Sequence, residues 1–297
     1  TEQTSATTAS NINGGGTSTS GNGDIFVNAS LRWNSTASLT LSAWRNVAIN
    51  AAITVAGNGT LNILTNTQGA TVNPGGLTFS GGNVAFTGTT GGALNINSQS
   101  YTLLRTASDL THIQSNGYYA LASSLDATSL GTLTSTPIPD FSGTFEGLGN
   151  TISNLTVHDT AGGYVGLFGT IDHSGVVENV GLTGVSITGG NSLSYVGGLA
   201  GLNFGTISGA YTTGTVNGNG THIGGLVGYI MSGTLTNAYM TGTVTANGGN
   251  NSVGGLVGYI LSGTPPNASM TGTATATGGH HRVVGLVRTT RTPHHNT

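Results

Sequence analysis

From Asp24 onward apolar and polar residues alternate. Ile25, Val27, Ala29, Leu31 and Trp33 are followed by Leu39, Leu41 and Ala43, by Val47 and Ile49, by Ile53 and Val55, and by Leu61 and Ile63. Successive side chains on a strand point to opposite faces, so period-two runs broken by Asn-Gly and Gly-Gly pairs predict many short, half-buried strands. The rhythm stops over residues 105–116. There Thr106-Ala107-Ser108-Asp109-Leu110 predicts a short helix near residues 106–115, with Thr106 or Ser108 as N-cap and Asp109 in the first turn. Residues 118–122 read as a strand again.

The second half repeats itself. Val196-Gly197-Gly198-Leu199-Ala200-Gly201 returns as Ile223-Gly224-Gly225-Leu226-Val227-Gly228 and as Val253-Gly254-Gly255-Leu256-Val257-Gly258. A shorter copy, Val165-Gly166-Leu167-Phe168-Gly169, precedes these, and a decayed one, Val284-Gly285-Leu286-Val287-Arg288, follows. Leu199, Leu226, Leu256 and Leu286 are 27, 30 and 30 residues apart. A period in this range denotes stacked repeats, none of which buries its apolar face alone. Each block is followed by a Thr-rich run: Tyr211-Thr212-Thr213-Gly214-Thr215-Val216, then Tyr239-Met240-Thr241-Gly242-Thr243-Val244, then Ser269-Met270-Thr271-Gly272-Thr273-Ala274. Thr, Val and Ile favour strands. One unit reads as three short strands, and the chain as an all-β, right-handed parallel β-helix with coils about 4.8 Å apart.

Two stretches resemble known families. Gly23-Asp24-Ile25-Phe26-Val27-Asn28-Ala29 and Leu39-Thr40-Leu41-Ser42-Ala43-Trp44-Arg45-Asn46-Val47-Ala48-Ile49-Asn50-Ala51 resemble the coils of filamentous haemagglutinin-like adhesins of two-partner secretion. Phe141-Ser142-Gly143-Thr144-Phe145-Glu146-Gly147-Leu148-Gly149-Asn150 resembles the segment that leads into GLUG repeats, and Leu199-Ala200-Gly201, Leu226-Val227-Gly228 and Leu256-Val257-Gly258 resemble the GLUG core. The resemblance implies a right-handed β-helix in a secreted adhesin of the bacterial cell surface. It also implies passage through an outer-membrane transporter, and host or neighbouring cell-surface glycans or proteins as partners. Domain expectations are a flexible lead over 1–22, haemagglutinin-like coils over 23–104, a connecting β-helix segment with the short helix over 105–160, GLUG coils over 161–287, and a tail over 288–297. A decayed final copy and three of the six arginines beyond position 281 give that tail the look of a cap or of foreign sequence.

Composition narrows the function classes. Only 5% of the 297 residues are charged, lysine is absent, and the net charge is −3. Such a surface is poor at neutralising phosphates, which argues against nucleic acid. No cysteine is present, which excludes disulfides and thiolate metal sites. No run of 18 apolar residues predicts a transmembrane helix. The first residues have neither a basic nor an apolar leader, as after signal removal or in a piece of a longer chain.

Candidate chemistry is confined to mid-chain. No charged residue stands between Glu178 and Arg282, so the repeats offer no pair of carboxyls for glycoside hydrolysis. Asp172, His173 and Ser174, with His158 and Asp159 about one repeat earlier, are the set a hydrolase of esters or polysaccharides would use. Consecutive strand residues face opposite ways, so a solvated turn is the simpler reading of 172–174. His280, His281, His294 and His295 form adjacent pairs without ligand spacing; no metal or cofactor is expected. Tyr211 and Tyr239 are candidates for stacking sugars, against the alternative of an inter-coil aromatic stack. Thr213, Thr241 and Thr271, aligned with Thr183, and the column Thr215, Thr243 and Thr273 are candidates for outward contacts. Such columns also raise an ice-binding reading, which the β-propensity of Thr alone would mimic.

Overall fold

The computed structural model describes residues 23–67, 69, 75–88, 90–190, 192–247, 252–262 and 267–277, with the backbone alone of short strands at Glu2–Gln3, Ala9–Asn11, Gly16–Ser18, Arg282–Val284 and Val287–Thr289. The expected lead, the tail from 288 and the His280–His281 and His294–His295 pairs lie outside the described side chains. Two compact units form: residues 1–105, 118–124 and 146–150, and residues 106–117, 125–145 and 151–297.

The first unit has three described coils of three strands: Ile25–Val27, Leu31–Trp33 and Ser38–Ser42, then Val47–Ile49, Ile53–Val55 and Thr60–Leu64, then Leu77–Phe79, Val84–Phe86 and Ala93–Ile96. Strands stack parallel, with Ile25 beside Val47 and Val47 beside Leu77, and Leu39 beside Leu61 and Leu61 beside Leu94. The alternation in the sequence selects the inward face: Ile25, Val27, Leu41, Val47, Ile49, Ile53, Val55, Leu61 and Ile63 have no exposure.

The residues that carry the haemagglutinin-like resemblance hold a corner of these coils. Buried Asp24 accepts two bonds from the Arg45 guanidinium, at 2.9 and 2.6 Å, and two from the backbone and side-chain nitrogens of Asn46. The Asn46 oxygen accepts from the Gly76 N–H at 2.9 Å, which extends the corner to the third coil. Asn50 donates to Asn28 at 2.8 Å one strand further on. Stacked corners leave backbone donors unpaired, and these side chains satisfy them.

Among the described residues two pairs depart from parallel stacking, Ala9–Asn11 with Gly16–Ser18 being one. Ala93–Ile96 pairs antiparallel with Gln99–Leu104 through Asn97 and Ser98, both at positive φ, as a two-residue hairpin turn requires. Residues 146–150 complete the unit. Leu148 sits in the left-handed region at φ 56°, held by its own N–H donating to the Glu146 carboxylate at 2.7 Å. Asn150 donates to the Val84 carbonyl and accepts from Asn83, each at 2.8 Å.

The second unit differs from the expectation of three strands per coil: its repeated coils have four. Gly181–Gly189, Tyr195–Gly197, Ala200–Asn203 and Thr206–Ser208 make one coil, and Tyr211–Gly218, His222–Gly224, Val227–Ile230 and Thr234–Thr236 the next. Ala238–Ala246, Ser252–Gly254 and Val257–Ile260 continue the stack, and Ala268–Ala276 begins a further coil. In each Gly-Gly-Leu block the first glycine ends the second strand, and the Gly-Leu pair after it is not a strand. It is the turn between the second and third strands, which fold back on each other as a tight arch. Leu167, Leu199, Leu226 and Leu256 drop from that turn into the core without exposure. The closing glycine of the motif makes the arch close: a Cβ on Gly228 would lie 2.6 Å from the Val196 nitrogen of the preceding coil.

The expected short helix is a 3-10 helix, Ala107–His112, with Thr106 as N-cap, whose N–H donates to Asp109 at 2.9 Å. A second 3-10 turn, Ala127–Leu130, capped by Asp126, has no counterpart in the sequence reading. No helix among the described residues is long and apolar enough to cross a membrane.

Candidate functional surfaces

The mid-chain acids, histidines and serine do not assemble into a triad. Asp159 is buried and spends its carboxylate on backbone donors: Gly162 at 2.6 Å, Ala161 at 3.1 Å and Thr136 at 3.3 Å. His158 points outward from Thr156–Asp159, level with Thr188. Asp172, His173 and Ser174 form the exposed turn after Phe168–Ile171, closed by the Gly175 N–H on the Asp172 carbonyl at 2.8 Å. Ser174 donates to the Ser142 carbonyl at 3.0 Å, and the His173 ring packs on Phe204 with centroids 4.9 Å apart. Among the described residues no hydrogen bond joins any two of these five, and no three acids or histidines gather as a set that could hold a metal.

Tyr211 and Tyr239 stand in register and stack face to face, 4.7 Å apart with planes 3° from parallel. Burial raises both phenol pKa values, and for Tyr211 the neighbouring Tyr239 adds to it. The far face of Tyr211 covers Gly181, where a Cβ would lie 2.2 Å from the ring. Both faces of Tyr211 are therefore used between coils, while Tyr239 stays 42% exposed.

A second aromatic group was not singled out in the sequence. Tyr164, Tyr195 and His222 occupy one column on the second strand of successive coils. Tyr229 and Tyr259 occupy a column on the third strand. The arch brings the columns together: Tyr195 lies 5.3 Å from Tyr164, 5.0 Å from His222 and 5.0 Å from Tyr229, and His222 stacks on Tyr259 at 4.7 Å. Tyr164 is 42% exposed, Tyr195, His222 and Tyr259 are partly exposed, and Tyr229 is buried among them. The available signal was a fixed offset: these rings flank the motif leucines three or four positions away. Without the arch that offset carries no meaning.

Hydroxyls pave the first strand of the same coils. Thr132, Thr156, Ser186, Thr215, Thr243 and Thr273 pair rung by rung in one column. Two positions along, His158, Thr188, Asn217, Thr245 and Thr275 form a second. Thr213, Thr241 and Thr271 stack as expected, but Thr183 does not join them. A bulge between Leu182 and Val185 shifts the register, Thr183 pairs with Ser153, and the Gly184 N–H donates to the Thr213 hydroxyl at 2.9 Å. Between the Thr columns Gly214, Gly242 and Gly272 take φ values of 123°, 150° and 142°.

Residues 219–245 match the family described as the GLUG motif, a span of about one coil. The chain is 48% identical over 88 residues to halomucin of Haloquadratum walsbyi, covering 30% of this chain and 1% of that protein. It is 42% identical over 67 residues to a Gly-rich membrane protein of Evansella cellulosilytica, covering 23% of this chain and 8% of that protein. The chain thus spans a small fraction of the length of these relatives. No solved structure matches it. The chain is a β-solenoid, and residues 219–245 of its four-strand coils carry a GLUG motif.

Proposed function

We propose that this chain is part of an extracellular surface protein, an adhesin whose solenoid makes multivalent contacts with glycans or proteins on host or neighbouring cells. The observation that carries the reading is the aromatic stripe of Tyr164, Tyr195, His222 and Tyr259, which adds a partly exposed ring with each coil. Partly exposed aromatic rings present an apolar body with a polar tip, the combination that suits contact surfaces. Repetition converts weak single contacts into avidity. The names of the two relatives, halomucin and a Gly-rich membrane protein, support a place at the cell surface. The finer reading, export by a two-partner route through an outer-membrane transporter, rests on the corner motif from Asp24 to Asn46 and belongs to this proposal.

The test is a glycan array and a cell-adhesion assay with the wild type and a Tyr164→Ser/Tyr195→Ser variant, with circular dichroism to confirm the coil in both. The expected result is binding by the wild type that falls at least several-fold in the variant. Failure of the wild type to bind any glycan or cell, or equal binding by the variant, would sink the reading.

A further inference from the structure

We propose that the hydroxyl-paved face of the second unit binds ice, a surface and a ligand distinct from the aromatic stripe and its proposed partners. The face is built from Gly181–Gly189, Tyr211–Gly218, Ala238–Ala246 and Ala268–Ala276, with Thr156–Asp159 beside them. Its spacing is set by the backbone. Along each column the repeat is the inter-strand distance, about 4.8 Å, and between neighbouring columns on one strand it is two residue rises, roughly 6.7 Å. Both lie near repeat distances of oxygen atoms in hexagonal ice. A binding plane for a crystal needs such fixed spacing in two directions, and parallel pairing supplies both without depending on side-chain order.

The side chains fit the same ligand. Thr supplies one hydroxyl and one methyl from a β-branched stem with few rotamers, so both groups stand in place before binding. Neighbouring rungs are close enough to touch, with the Thr273 and Thr243 hydroxyls 3.5 Å apart. The four strands from 181 to 276 carry no charged residue, so no strongly hydrated ion interrupts the array. The glycine column between the Thr columns lets the coils approach closely, since a Cβ on Gly242 would lie 2.1 Å from the Gly214 carbonyl oxygen. A crystalline polysaccharide would need open ring faces. The aromatic residues on these four strands, Tyr211 and Tyr239, stack on each other as a single pair at one end of the face and do not continue along it, since Ser269 follows Tyr239 in the column.

The experiment is partition into slowly grown ice, followed by ice-recrystallisation inhibition, with a protein of similar size as the excluded control. Wild type is expected to be several-fold enriched in the ice. A Thr215→Lys/Thr243→Lys variant places two ammonium groups mid-face and is expected to be excluded. A Thr234→Lys variant, on the separate sheet of Thr206–Ser208 and Thr234–Thr236, is expected to keep the enrichment. Circular dichroism establishes that each variant retains its coils. Exclusion of the wild type, or enrichment of the double-lysine variant, overturns the proposal. So does adsorption to crystalline cellulose or chitin without ice enrichment. The Tyr164→Ser/Tyr195→Ser variant leaves ice partition unchanged, so the two surfaces stand or fall separately.

Discussion

At the scale of single residues two carboxylates, Asp24 and Glu178, tie stability to pH in opposite directions. Asp24 has its pKa lowered, first by the hydrogen bonds from Arg45 and then, against the cost of burial, by those from Asn46. A carboxylate with a depressed folded pKa contributes stability above its ordinary value of 3.8, and that contribution is lost as pH falls through the lowered folded value. Asp24→Asn should cost about 1–2 kcal/mol near neutral pH, a figure reduced because Arg45 remains 35% exposed and screened. The variant should also lose the acid sensitivity that the wild type shows below about pH 4. Urea melts of both proteins across that range check the slope. An unchanged slope would mean that the corner does not depend on this charge.

Glu178 has the opposite sign. Burial raises its pKa above 4.5, so ionisation is harder in the folded protein, and stability declines as pH rises through the window above that value. Glu178→Gln should therefore raise the melting temperature near pH 7 and leave it unchanged near pH 4. A gain at both pH values would show a packing effect instead.

At the scale of elements the motif is explained by the arch. In Gly-Leu-x-Gly the first glycine belongs to the turn, the leucine fills the core, and the last glycine lies against the backbone of the preceding coil. Gly228→Ala would force a Cβ to within 2.6 Å of the Val196 nitrogen, an atom that cannot move aside without displacing a strand. The expected cost is about 3 kcal/mol, and Leu226→Ala, a cavity without overpacking, should cost about 2–5 kcal/mol. Chemical denaturation of the two variants tests this. A neutral Gly228→Ala would show that the strands of the arch can separate freely.

This scale also marks what the sequence could disclose. Alternation from Ile25 to Ile63 identifies inward side chains because it depends only on neighbours two positions apart. The spacing of Leu199, Leu226 and Leu256 discloses the solenoid for a similar reason. The fourth strand stayed hidden because Val-Gly-Gly-Leu-Ala-Gly looks like one β run unless the turn inside it is known. Thr183 was misaligned because a bulge changes the count by one residue, and nothing in Thr-Thr-Gly-Thr against Leu-Thr-Gly-Val announces it. The assignment of residues 118–124 and 146–150 to the first unit rests on pairs such as Asn150 with Val84, 66 positions apart, which leave no local trace. The aromatic stripe was illegible for a related reason: Tyr195 and Tyr229 meet only through the arch.

At the scale of the whole second unit, stability is a sum over coils and the contacts between nearest neighbours. That makes a complete turn removable. Deleting residues 227–256 joins Leu226 to Val257 and keeps every column in phase: Val257 takes the place of Val227 beside Ala200, Tyr259 that of Tyr229 beside Leu202, and Thr273 that of Thr243 beside Thr215. Some pairs change: Tyr211 would face Ser269 in place of Tyr239, Val216 would face Ala274 in place of Val244, and His222 would face Arg282 in place of Ser252. The shortened protein should retain a β-sheet circular dichroism spectrum and lose only a few degrees of melting temperature. Deleting residues 227–241 instead removes half a turn and sets the run from Gly242 directly after Leu226. The Thr-rich first strand would then fall on the third-strand column, and its outward hydroxyls would enter the buried layer that Val227 and Ile230 now fill. Burying unpaired hydroxyls costs roughly 1–3 kcal/mol each, enough for a few of them to exceed the stability of a typical domain's margin. The half-turn deletion should therefore melt broadly or not fold. If both deletions melted alike, the coils would not be the cooperative unit, and the stacking account of this molecule would have to be abandoned.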